Sequence, residues 1–87
     1  MELVFHASIV IKFEILGGYL RLTDNALIFG AGYKGCEYMT VNIPYCDIFK
    51  VYKTKICFVV ELNNNLKYRF ITLRRKRVIA LIQDKIL

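Results

Sequence analysis

Gly18-Tyr19-Leu20-Arg21-Leu22-Thr23-Asp24-Asn25-Ala26-Leu27-Ile28-Phe29 decides the fold of this 87-residue chain. Leu20 and Leu22 alternate with Tyr19 and Arg21, and Leu27 and Phe29 alternate with Ala26 and Ile28. A period of two gives each run one apolar face, as a strand on a core requires. Thr23, Asp24 and Asn25 carry short polar side chains that bond nearby backbone and end a strand. The stretch therefore predicts a hairpin of residues 19–23 and 26–30, with Leu20, Leu22, Leu27 and Phe29 inward.

The same period extends to both sides. Residues 3–15 read as a first strand with Ile9, Ile11, Phe13 and Ile15 on one face, turned at Leu16-Gly17-Gly18. After a glycine-bearing loop over residues 31–35, residues 37–43 read as a fourth strand. Pro44-Tyr45 makes a corner, where the missing proline donor is tolerated. Residues 46–52 form a fifth strand with Ile48 as core anchor. Lys53-Thr54-Lys55 leads to a sixth, in which Ile56, Phe58, Val60 and Leu62 alternate with Cys57, Val59 and Glu61. Asn63-Asn64-Asn65 is a turn, because asparagine tolerates positive φ. Residues 66–71 make a seventh strand with Leu66, Tyr68 and Phe70 on one face. Beyond it the period changes: Val78, Leu81, Ile82 and Ile86 recur at helical spacing, so a helix spans about residues 73–87 with Thr72 as N-cap. Seven antiparallel strands and one terminal amphipathic helix suit a short barrel with the helix as its plug.

Composition bounds the rest. A chain this short forms one domain, burying only about 60–65% of its unfolded surface. Its 56% apolar content argues against disorder. No apolar run approaches the length of about 18 needed to span a bilayer, and no signal peptide is apparent, so the expected location is the cytoplasm. Cys36, Cys46 and Cys57 are spaced by ten and eleven residues, unlike a zinc or redox motif, and read as reduced thiols. His6 stands alone, and no nucleophile–base set or acid/base pair is evident, so no enzyme, metal site or cofactor is expected. Gly30, Gly32 and Gly35 spell G-x-G-x-x-G outside a strand–helix context, which makes a hairpin loop rather than a dinucleotide site. Asp47 is expected to cap the corner through local backbone amides.

Charge is uneven. Residues 50–77 carry nine basic side chains against Glu61, a net of +8, while the remainder of the chain is −2. Arg74, Arg75, Lys76 and Arg77 fall in the expected first helical turn, where the helix dipole disfavours cations, and no acid stands four residues on. If strands five to seven form a meander, Lys53 and Lys55 approach this cluster. Together these six cations are the candidate anion- or lipid-binding site; a solvated basic turn that keeps an apolar domain soluble is the plain alternative. The clustering at one end speaks against nucleic acid, which favours basic groups interleaved with aromatics along a groove. Outward apolar positions Val10, Tyr19, Val59 and Ile71 point to a face covered by an oligomer or another domain.

Three motifs resemble a known family. They are the Gly18-x-Leu20-x-Leu22-Thr23-x-x-x-Leu27-x-Phe29 run, the Ile43-Pro44-x-x-Asp47-Ile48-x-x-Val51 corner, and the Leu66-x-Tyr68-x-Phe70 strand before a helix. Their order is similar to that of GRAM and bacterial pleckstrin-homology-like (PH-like) domains. The resemblance implies a single domain over residues 1–87, mainly β. It implies a barrel of two near-orthogonal sheets of four and three strands, capped by the C-terminal helix. It also implies a non-enzymatic module that binds phosphoinositides or other anionic lipids at a membrane periphery, or that serves as a protein-binding or oligomerising platform. The family's usual headgroup site surrounds the first hairpin, where this sequence offers only Lys12 and Arg21, with Lys34 nearby.

Overall fold

The computed structural model describes residues 2–33 and 35–86. Its elements are β1 (Leu3–Ile11), β2 (Glu14–Leu22), β3 (Ala26–Tyr33), β4 (Cys36–Pro44), β5 (Ile48–Lys53), β6 (Phe58–Leu62), β7 (Lys67–Ile71) and α1 (Arg75–Ile86), with a one-turn 3-10 helix, Tyr45–Asp47, at the corner. All pairings are antiparallel, in the order β4-β3-β2-β1-β7-β6-β5. The four-stranded and three-stranded meanders join where Ser8, Ile9 and Val10 of β1 face Ile71, Phe70 and Arg69 of β7.

The opening hairpin forms as its residues dictate. Leu20, Leu22, Leu27 and Phe29 are all buried. Thr23 closes the turn: its Oγ1 donates to the Ala26 carbonyl and accepts from the Ala26 amide, both at 3.0 Å. The β5–β6 turn repeats the device. Thr54 Oγ1 donates to the Cys57 carbonyl and accepts from its amide, both at 3.2 Å, leaving Lys55 and Ile56 as the two tip residues. Ile56 is thus 71% exposed rather than a strand residue, and Cys57 immediately precedes β6.

The first turn lies elsewhere than the glycines suggest. β1 ends at Ile11, and Lys12-Phe13 form a two-residue loop in which Lys12 takes φ 47°. Ile11 is consequently 36% exposed and Phe13 101% exposed, so neither belongs to the core. Gly18 instead sits within β2 opposite Ala31 of β3, where a Cβ would stand 2.0 Å from the Gly30 carbonyl oxygen. Glycine there permits the close approach of two strands. The glycine run after Phe29 is also mostly strand: β3 continues to Tyr33, with a register shift between Ala31 and Gly32 and Gly32 at φ 106°. A bulge of this kind bends the strand at the sheet's end.

The core joins both meanders and the helix. Phe70 is fully buried, its ring centroid 5.4 Å from that of Phe58 and 5.6 Å from that of Phe29. Ile48, Val60, Val78 and Ile82 belong to the same cluster, and Tyr68, Leu81 and Ile86 pack against it half-buried. The helix lies over β5 and the corner. Tyr45 is buried at that corner, donating from its hydroxyl to the Thr23 carbonyl at 2.8 Å and from its amide to the Asn25 carbonyl at 3.1 Å. The Asp47 carboxylate accepts from the Cys46 thiol at 3.8 Å and, among the described residues, from no backbone amide; the corner is held from outside, by the Asn63 amide donating to the Asp47 carbonyl at 2.9 Å and Asn63 Nδ2 to the Cys46 carbonyl at 3.2 Å. Asn65 takes φ 72° in the expected turn. Of the outward apolar positions, Val59 is only 2% exposed within the single chain, whereas Val10, Tyr19 and Ile71 are half-buried. Among the described residues, no helix is long and apolar enough to cross a membrane.

Candidate functional site

The β5–β6 turn, the exit of β7 and the start of β1 converge at one end of the sheet, and the N-terminus of α1 emerges between them. The β1–β2, β3–β4 and β6–β7 turns lie at the other end, as the antiparallel order requires. Thr72 ties the junction together. Its hydroxyl donates to the His6 carbonyl of β1 at 2.8 Å and accepts from the Arg74 amide at 3.3 Å. The N-cap itself is Arg74, whose carbonyl takes the first helical bond from the Val78 amide at 2.9 Å, so Thr72 stands two residues outside it.

Arg75 is the strut of the site. Its Nη1 donates to the Thr54 carbonyl at 2.8 Å and to the Lys55 carbonyl at 2.9 Å. The guanidinium therefore brings the β5–β6 turn against the helix start, which is the approach that the meander implied. Local stability accounts for this one cation. It does not account for Arg74, Lys76 and Arg77, which are exposed and make no side-chain hydrogen bond among the described residues. The ion pairs among the described residues are Arg21–Glu2 and Lys50–Glu61, each at 3.9 Å, and involve none of the six candidate cations.

Three open grooves divide this surface. One holds Thr72 through Arg77. A second runs past Leu3, Val4, Phe5 and His6 to Arg74 and Arg77. A third, of about 570 Å³, passes Ser8, Gly17, Ile71 and Thr72 to Lys55, Ile56 and Arg75. Lys55 and residues 74–77 are thus gathered on one continuous face. Lys53 ends β5 opposite Phe58, beside the turn but lining none of the three grooves.

The family's usual headgroup position fares differently. Lys12 is at the β1–β2 tip, while Arg21 lies at the far end of β2 beside Val4 and pairs with Glu2. Lys34 lies outside the described residues. His6 is exposed, its ring centroid 4.7 Å from that of Tyr19. Among the described residues no group of three His, Cys, Asp or Glu side chains could hold a metal ion.

Leu73 is the residue that periodicity missed. It lines all three grooves and is 103% exposed. A helical pattern assigns apolar residues to the core, and Leu73 precedes the first helical residue, so the pattern has no claim on it.

Neither a family model nor a curated protein matches this sequence. Solved structures do. The C-terminal domain of an unknown protein from Leishmania infantum superposes with a TM-score of 0.84 at 19% identity, covering 94% of this chain and 79% of that one. The N-terminal PH domain of human ARAP2 superposes with a TM-score of 0.78 at 13% identity, covering 98% of this chain and 78% of that one. The fold is PH-like: seven antiparallel strands and a C-terminal helix.

Proposed function

We propose that this PH-like domain is a non-enzymatic binding module that docks peripherally on anionic phospholipid, including phosphoinositide headgroups, through Lys53, Lys55, Arg74, Arg75, Lys76 and Arg77. One observation carries the reading. Arg74, Lys76 and Arg77 stand exposed at a helix N-terminus, without an acidic partner among the described residues, beside a turn that Arg75 holds in place. The dipole and the neighbouring like charges make this arrangement unfavourable for the isolated domain, and a phosphate-rich surface relieves both. Each basic side chain near such a surface contributes about 1 kcal/mol, so binding is additive and weakened by salt. Within the PH-like folds we read the chain as a GRAM-type domain, on the Gly18-to-Phe29 run and the Ile43-Pro44 corner, working at a cytoplasmic membrane face.

Sedimentation with phosphatidylcholine vesicles, with and without phosphatidylserine or phosphoinositide, tests the reading. Pelleting that requires the anionic lipid and fades with salt is expected; equal behaviour with both vesicle types would refute it. A protein-interaction or self-assembly module is the second reading. It is favoured by Phe13, Ile15 and Leu66, which are 101%, 63% and 53% exposed. Concentration-dependent light scattering without vesicles would support that reading.

A further inference from the structure

We propose that Leu73 and Ile56 form an apolar wedge that enters the hydrocarbon boundary of the membrane while the surrounding cations engage its headgroups. The proposal rests on the anionic-membrane reading above and deepens it. Leu73 is 103% exposed and Ile56 71% exposed, and both line the same groove with Lys55 and Arg75. Neither exposure is explained by the domain's own packing. Leu73 immediately precedes the Arg74 N-cap, where an apolar side chain ordinarily staples onto the fourth helical residue. That residue is Val78, which is fully buried in the core cluster, and Leu73 stays entirely outside. Ile56 is pushed out by the Thr54 turn, which leaves it at a two-residue hairpin tip where polar residues or glycine are usual.

Charge selects the occupant. Lys55, Arg74, Arg75, Lys76 and Arg77 surround the two apolar side chains, which is the pairing of an apolar contact with cations that interfacial membrane segments use. The exposed apolar tips at the opposite end, Phe13, Ile15 and Leu66, are flanked in sequence by Lys12 and Lys67 with Glu14 among them, a sparser collar than the five cations here. Arg75 fixes the relation of the two parts of the wedge, since its guanidinium bonds the carbonyl of Lys55, the residue before Ile56. The wedge is therefore preorganised by the fold.

The chain contains no tryptophan, so Leu73→Trp introduces a single fluorescent reporter at the tip of the wedge. With phosphatidylcholine–phosphatidylserine vesicles, its emission should shift to the blue and be quenched by lipids brominated on the acyl chains. Leu73→Ser should fold normally, because the side chain it removes is fully exposed. It should weaken vesicle binding about tenfold and abolish the binding that wild type retains at high salt. Salt-sensitive binding of Leu73→Trp without a blue shift would overturn the wedge and leave the basic-face reading standing. No vesicle binding by wild type would overturn both. A blue shift that grows with protein concentration in the absence of vesicles would mean that a second copy covers the wedge, and would also overturn it.

Discussion

Phe70 connects the two meanders within the core cluster that also holds Val78 and Ile82 of the helix. Its strand pairs with both β1 and β6, and its ring meets Phe29 from one meander and Phe58 from the other. Phe70→Ala should cost about 3–5 kcal/mol of unfolding free energy, measured by chemical denaturation, because a small core cannot collapse around the vacated ring. Tyr45 makes a different prediction. Burial, reinforced by the Asp24 carboxylate, raises its phenol above the ordinary value of 10.0. The folded chain then holds this proton more tightly than the unfolded one. Its contribution is full below pH 10.0 and is lost as the pH climbs through the raised value. Tyr45→Phe should lose about 1 kcal/mol at neutral pH with the bond to the Thr23 carbonyl, and should show a shallower decline in alkaline melting. Equal alkaline slopes in the two proteins would contradict this.

At the scale of elements, alternation is a reliable guide to the inward face along the interior of the strands. Leu20, Leu22, Leu27, Phe29, Phe58, Val60 and Phe70 are all buried as their parity requires. It misled where apolar alternation ran on through a turn. Ile11, Phe13 and Ile15 continue the period past Lys12, and nothing in Lys12 itself announces a positive φ. The glycines that invited a turn at residues 17–18 have another purpose, the close approach of β2 to β3. Gly18→Ala should cost about 1–3 kcal/mol or more, since the new methyl would meet backbone rather than a yielding side chain. An unchanged denaturation midpoint would show that the strands can separate freely there. The basic cluster was legible as a charge run, and its meeting with the β5–β6 turn followed from strand order alone. Arg75's structural share was not legible, because a guanidinium bonded to two carbonyls leaves no periodic signature. The Thr54 turn has a readable precedent in Thr23, each threonine bonding the residue three positions on, Ala26 and Cys57, and that parallel is the signal that places Ile56 at a tip.

At the scale of the molecule, the two ends of the domain differ in what they expose. One carries the Lys12-Phe13 and Asn63–Leu66 turns with their exposed apolar side chains; the other gathers the helix start, the β5–β6 turn and Arg74, Lys76 and Arg77, which have no ion pair among the described residues. The central claim is that the second end binds anionic membrane surfaces. The measurement that bears on it most directly is vesicle sedimentation of wild type against an Arg74→Glu, Lys76→Glu, Arg77→Glu triple variant, at low salt with phosphatidylserine-containing vesicles. Arg75 is left intact because it holds the β5–β6 turn, so the variant should keep the melting temperature of wild type to within a few degrees, the changes being on exposed side chains. The account predicts that wild type pellets with the vesicles and that the triple variant stays in the supernatant while folded. A triple variant that pellets as well as wild type would contradict it.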